Sequence, residues 1–251
     1  FFCNLTGTSH DGWVAPGRTA RSAVLLDPVS GREGAAALRT GGGGATEVML
    51  QLAPGESLIL RTDNSGQYAA HTPWTYLAPA GDGVPIQGTW NVEFLKGGPE
   101  LPPAFSTETL GSWTSASAAV ESFAGTARYK IEFEKPAGDA DDWILDLGDV
   151  RESARVRLNG EEIAIAWSLP FRVRVGAHLR AGRNVLELDV TNLAANRIRD
   201  MDRRKVDWKI MHEINFVNIH YKPFDASEWA LTPSGLLGPV VLVPMRNLDP
   251  K

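Results

Sequence analysis

The chain has 251 residues, 43% hydrophobic and 22% charged, with a formal net charge of −5. This length supports one large or two ordinary cores, and we read two β-domains. No apolar run approaches the ~18–20 residues a membrane span needs, and the acidic balance argues against a nucleic acid partner. The single Cys3 excludes an internal disulfide.

In chain order, residues 1–62 read as a β-sandwich segment. The opening FFCNLTG reads as a strand entered midway, which suggests a piece of a longer enzyme, and Asn4-Leu5-Thr6 is a formal glycosylation sequon. Ser22 to Leu26, Ala35 to Arg39, Glu47 to Leu52 and Ser57 to Thr62 are strand-like; Asp27-Pro28, the glycines 41–44 and Pro54-Gly55 separate them. The glycine run lacks the Gly-Lys-Ser/Thr close of a phosphate loop. Residues 63–103 read as a connection that ends in the first strand of the next domain, Gly88 to Lys96.

Residues 104–251 read as a jelly roll with a long insertion at 193–234. The polar stretch after Pro103 suggests an exposed crossing, and the sheet resumes at Ala127 to Glu134, where Tyr129, Ile131 and Phe133 share a face. From Trp143 to Asn192 the chain reads as five short strands joined by polar turns, with period-two alternation in ARVRLNG and NVLELDV and turn signals at Asn159-Gly160 and Ala181-Gly182-Arg183-Asn184. Within the insertion, Arg197 to Met211 reads as an imperfect helix, and the last strand runs from Gly235 to Val243. Arg197, Arg199, Arg203, Arg204 and Lys205 cluster there, but Asp200, Asp202 and Asp207 cancel most of their field.

The pattern LDLGDVRESARVRLNG, then SLPFRV, then LRAGRNVLELDVTNLAANR and a late TPSGLLGPVVL resembles the galactose-binding-like jelly roll in the C-terminal part of glycoside hydrolase family 106, the α-L-rhamnosidases. It is similar also to the accessory sandwich of the β-galactosidase and β-glucuronidase superfamily. The likeness covers roughly Phe105 to Met245. AVLLDPVSGREGAAA and TEVMLQLAPGESLILRT resemble the β-sandwich that precedes it in those enzymes. The resemblance implies an all-β fold and a bacterial parent enzyme, secreted or periplasmic, with its catalytic acids on a separate (β/α)8 barrel. No eightfold strand–helix alternation is visible in this chain.

Sugar binding needs flat rings to cover the C–H face of a pyranose and planar polar groups to pair with its hydroxyls. The insertion and the adjoining strand ends supply Trp167, Asn196, Arg197, Trp208, His212, Asn215, Tyr221, Asp225 and Trp229. The competing reading is that Trp208, Phe216 and Trp229 plug the open end of the sandwich. Catalysis by this chain alone would need a carboxyl pair, for which Glu213, Asp225 and Glu228 are the candidates. His212 and His220 lack the His-Glu-x-x-His zinc spacing, and Ser234 has no Gly-x-Ser-x-Gly context. No cofactor is required. A structural Ca²⁺ is an expectation from similar modules, with Glu108, Asp141, Asp142 and Asp149 as candidate oxygens.

These observations suggest a non-catalytic carbohydrate-binding module of a polysaccharide-degrading glycoside hydrolase, with a plant or microbial glycan and the parent's catalytic domain as partners. Two alternatives stand beside it: an autonomous hydrolase or lyase using acids of the insertion, and a structural domain that braces the barrel.

Overall fold

A computed structural model of the chain describes residues 1–210 and 222–250. The architecture is all-β, with two short helices among the described residues, Ala118–Glu121 and Ala195–Arg203.

Period-two alternation builds the larger sandwich. In Ala124–Glu134 the residues Ala127, Tyr129 and Ile131 are buried while Lys130 and Glu132 face water. Arg183–Thr191 runs antiparallel and sets Val190, Leu188 and Leu186 opposite the buried three. The six-stranded sheet has the order Phe105–Thr107, Trp90–Gly98, Ala124–Glu134, Arg183–Thr191, Ser153–Leu158, Glu161–Ala166. The facing sheet runs Arg172–Arg174, Asp142–Asp146, Val241–Leu248, Tyr76–Pro79, and Val84–Pro85 also pairs with Val241–Leu248. Between them lie Trp90, Tyr129, Trp143, Leu145, Leu186, Leu188 and Leu242. The Asn159-Gly160 turn forms with both φ angles positive, the geometry that matches strand twist. Asn159 also receives the Val185 N–H at 3.0 Å and donates to the His178 carbonyl at 3.0 Å.

The outer face of the six-stranded sheet is a charge ladder. Asp189 accepts from Arg128 at 2.7 Å and from Arg157 at 2.6 Å, and Lys130 sits 3.3 Å from Glu187. Cross-strand pairs of opposite sign stabilise such a face, and they leave it without an aromatic platform along these strands.

The segment after Pro103 differs from the expected exposed crossing. Phe105–Thr107 adds an edge strand against Trp90–Val92, and the chain then folds inward over the open side of the sandwich. Trp113, Val120 and Phe123 are buried; Phe94 lies 4.9 Å from Phe123 and 5.5 Å from Trp113, centroid to centroid. A short 3-10 turn, Trp113–Ser115, is capped by the Ser112 hydroxyl, which accepts the Thr114 N–H. Apolar residues at 113, 120 and 123 follow neither strand nor helix period, which is why the polar surroundings dominated the sequence pattern.

The smaller sandwich packs the sheet Phe2–Cys3, Ser57–Asp63, Ser22–Leu26, Glu33–Ala35 against the sheet His10–Val14, Thr46–Leu52, Leu38–Thr40. Leu25, Val48, Leu50 and Leu58 form its core. The stretch 35–39, read as one strand, divides between both sheets, because alternation alone cannot show where a chain crosses the core. Asn4 is buried, and its amide nitrogen donates to the Thr8 and Leu52 carbonyls. In the folded chain the sequon nitrogen is therefore engaged inside.

Tyr76 ties the sandwiches together. Its backbone pairs with Leu248 of the larger one, while its hydroxyl accepts from the Ala37 N–H at 3.0 Å and donates to the Met49 carbonyl at 3.2 Å in the smaller one. Gln51 adds two bonds to the Leu77 backbone, at 2.9 and 3.0 Å. At Gly55 φ is +85°, and a Cβ there would lie 3.1 Å from Leu169, so a residue without a side chain allows this close approach.

Candidate functional site

One end of the six-stranded sheet gathers the strand ends that carry the predicted residues. Ala166 pairs with Ala154, and Ala154 with Val190; Trp167 and Asn192 therefore leave the same sheet end, about two strand spacings or ~10 Å apart. Trp167 is 58% exposed.

From Asn192 the chain enters the insertion through a buried amide cluster. Asn192 donates to the Phe123 carbonyl at 3.0 Å and accepts the Gly125 N–H at 2.9 Å. Asn196, a predicted sugar contact, donates to the Thr232 carbonyl at 2.7 Å and accepts the Thr232 N–H at 2.8 Å. Being 2% exposed, it closes the insertion onto itself and presents nothing to a ligand. Arg197 faces Asp200 at 3.4 Å on the helix surface.

The helix Ala195–Arg203 ends earlier than its sequence pattern suggests. The Val206 N–H bonds the Met201 carbonyl and the Lys205 N–H bonds the Asp202 carbonyl, with Lys205 at φ +55°. This is a Schellman stop with lysine in the place glycine favours. The chain then turns back onto Asp202. That carboxylate, 6% exposed, accepts the Trp208 indole N–H at 2.7 Å and the Ala226 N–H at 2.8 Å and lies 3.3 Å from the Lys209 ammonium. Burial pushes the Asp202 carboxyl up, but these hydrogen bonds and the Lys209 charge outweigh it and hold it below the usual carboxylate range. Lys209 also donates to the Phe224 carbonyl at 2.8 Å.

Around this hub three rings meet edge to face: Trp208 and Phe224 at 6.1 Å, Phe224 and Trp229 at 5.5 Å. Trp208 is half-buried and tethered through its indole nitrogen, whereas Trp229 is 43% exposed. Arg199 donates to the Trp229 carbonyl at 2.6 Å and reaches Glu121 at 3.3 Å, joining the ring row to the plug over the open side. The structure thus brings Trp208 and Trp229 together, with Asp225 beside Phe224 in sequence, and places Trp167 at the same sheet end. His212, Glu213, Asn215 and Tyr221 lie outside the described residues.

Asp202, Lys209, Arg199 and Phe224 organise this site but were absent from the sequence candidates. Asp202 and Arg199 were legible only as mutually cancelling charges, since a hub six residues before its tryptophan leaves no periodic mark.

Asp225 is exposed and accepts the Ser227 N–H at 2.9 Å; hydrogen bonds from Ser227 hold its carboxyl below the usual range. A general acid needs the opposite shift. Glu228 is exposed. Of the calcium candidates, Asp142 accepts from Arg174 and from the Trp143 and Gly176 N–H groups, Asp149 pairs with Arg151, and Asp141 accepts the Asn247 N–H. Among the described residues no group of three His, Cys, Asp or Glu side chains is placed to hold a metal.

No family model matches the chain. Its structure is similar to that of a rhamnosidase from Novosphingobium sp. PP1Y, with a TM-score of 0.70 and 26% identity over 96% of this chain and 22% of that one. In sequence it is 33% identical over 130 residues, 50% of this chain and 11% of the other, to a protein of Formosa agariphila named "Putative beta-glucuronidase". The chain spans about a fifth of the rhamnosidase and about a ninth of the Formosa protein. These likenesses make it a glycoside hydrolase-related β-sandwich region.

Proposed function

We propose that this chain is a carbohydrate-binding accessory region of a polysaccharide-degrading glycoside hydrolase of the α-L-rhamnosidase kind, secreted or periplasmic with its parent. Its glycan-facing surface is the row of rings in the insertion, with Trp167 leaving the sheet end from which the insertion also departs. The observation that carries this reading is the exposed ring of Trp229, presented on a row of rings locked by Asp202, in a chain that follows a rhamnosidase over 96% of its length. A prelocked ring covers the apolar face of a sugar without a further loss of side-chain entropy. The chain would act by proximity, holding a glycan near the parent's catalytic domain and raising its effective concentration.

The test is retention of the purified chain on plant and microbial polysaccharides, with released sugar assayed in the same samples. We expect retention on a glycan without sugar release, and at least tenfold weaker retention for Trp229→Ala with unchanged melting. Sugar release would overturn the reading in favour of an enzyme.

A bracing role has its own support. Ile165 near the end of the edge strand Glu161–Ala166, and Trp167 and Leu169 just beyond it, are exposed large apolar side chains, which a neighbouring domain could cover. Silence in both assays would favour this second reading.

A further inference from the structure

The segment 226–229, which carries Trp229, is held at both ends by the helix Ala195–Arg203. At one end the Ala226 N–H donates to Asp202 at 2.8 Å. At the other the Arg199 Nε donates to the Trp229 carbonyl at 2.6 Å, while the Trp229 N–H closes the turn onto the Ala226 carbonyl at 3.0 Å. Residues 199 and 202 stand three apart and so share a helix face.

The two holds differ in what they connect. Asp202 gathers Trp208, Lys209 and Ala226, all within the insertion. Arg199 reaches out of it: its Nη1 lies 3.3 Å from the Glu121 carboxylate, on the helix Ala118–Glu121 of the plug. Val120, beside Glu121, is 3% exposed and Phe123, two residues on, is fully buried, so the main chain here is fixed to the larger core. The Arg199 side chain is itself 16% exposed. A guanidinium presents donors on separate edges and serves a carbonyl and a carboxylate together, whereas an ammonium is a single charged point. A tryptophan has two side-chain torsions. With its main chain clamped and the Phe224 ring 5.5 Å away, the exposed ring of Trp229 has little freedom left.

We propose that Arg199 is a positioning residue for glycan binding: it ties the main chain of Trp229 to the plug helix, so that the exposed ring keeps its place relative to the larger sandwich. This rests on the reading of Trp229 as a glycan-facing ring, and Arg199 acts through that ring rather than on the sugar.

The test uses the full chain with ¹⁵N-labelled tryptophan. Trp229→Phe and Trp208→Phe identify those two indole resonances among the eight tryptophans. The heteronuclear NOE reports ring motion on the picosecond-to-nanosecond scale without any ligand. We expect Arg199→Lys to loosen the Trp229 indole while the Trp208 indole, held by Asp202, stays rigid and the melting temperature is unchanged. Glu121→Ala, which leaves the Arg199 bond to Trp229 in place, should give a smaller change in the same direction. Affinity electrophoresis through gels holding pectic rhamnogalacturonan, or whichever polysaccharide retains the wild-type chain, should show retention at least fivefold weaker in Arg199→Lys. A Trp229 indole that stays rigid in Arg199→Lys, a Trp208 indole that loosens equally, or unchanged retention beside a loosened Trp229 would overturn the proposal. A response to Arg199→Lys with none to Glu121→Ala would overturn the tie to the plug. A wild-type chain that passes every polysaccharide would overturn the glycan reading instead, and the two indoles would still decide whether Arg199 positions Trp229.

Discussion

Two ring clusters in this molecule are held by different forces. Phe94, Trp113 and Phe123 meet in a dry core, at 4.9 to 5.8 Å between centroids, where apolar burial and dispersion do the holding. Trp208, Phe224 and Trp229 meet at similar distances, 6.1 and 5.5 Å, but around a carboxylate that gathers an indole, an ammonium and a backbone N–H. The first cluster is indifferent to acid and salt and is lost only with the fold. The second depends on one ionised group and can loosen while the sheets persist, a property suited to a surface that meets ligands.

The largest expected effect breaks the dry cluster. Phe123→Ala should cost about 3–5 kcal/mol and lower the melting temperature of the larger sandwich as a whole, measured by calorimetry.

Next comes the titration of its neighbour Tyr129. A phenol whose folded pKa lies near 12 contributes stability that is fully present below the unfolded value of about 10 and is lost as pH rises through 12. Denaturant unfolding should therefore show a loss of about 2–3 kcal/mol over that window, and Tyr129→Phe should remove most of that alkaline limb.

Asp202→Ala should cost about 1.5–3 kcal/mol, the worth of hydrogen bonds to a charged group. Hydrogen exchange should locate the loss. The Ala226 amide would lose protection while the Leu188 amide keeps its own; equal loss at both would erase the distinction between the clusters. Acid supplies the same test without a mutation. Asp202 has its folded pKa depressed, so its contribution is present above the unfolded value of about 3.9 and disappears as pH falls through the folded value below it. The insertion should loosen there before the sheets do.

The smallest effect sharpens the comparison from the stabilising side. Lys205 sits at φ +55°, where glycine carries no Cβ penalty. Lys205→Gly should stabilise the helix end by up to about 1 kcal/mol, seen as slower exchange of the Val206 amide.

Some of this was legible in the residues. Alternation in 127–134, 153–158 and 183–191 places the strands, and Asn159-Gly160 specifies a hairpin whose two positive φ angles the structure shows. Trp208 and Trp229 stood out as large rings in a long insertion. Their organiser did not, because Asp202 works through partners at 208, 209 and 226 that are close only after the chain has turned back on itself. Asn196 looked like a sugar contact for the same reason: an amide reads alike in a sequence whether it faces water or a buried carbonyl.

By itself, then, the sequence determined the all-β class, the main strand faces and one hairpin, since side-chain period and turn chemistry are local and act between near neighbours. The tertiary structure alone decided that residues 105–123 close the sandwich, that Tyr76 serves both cores, and that the insertion's rings assemble on Asp202. Those outcomes depend on burial and on contacts between residues far apart in the chain, whose free energy exists only once the sheets have brought them together.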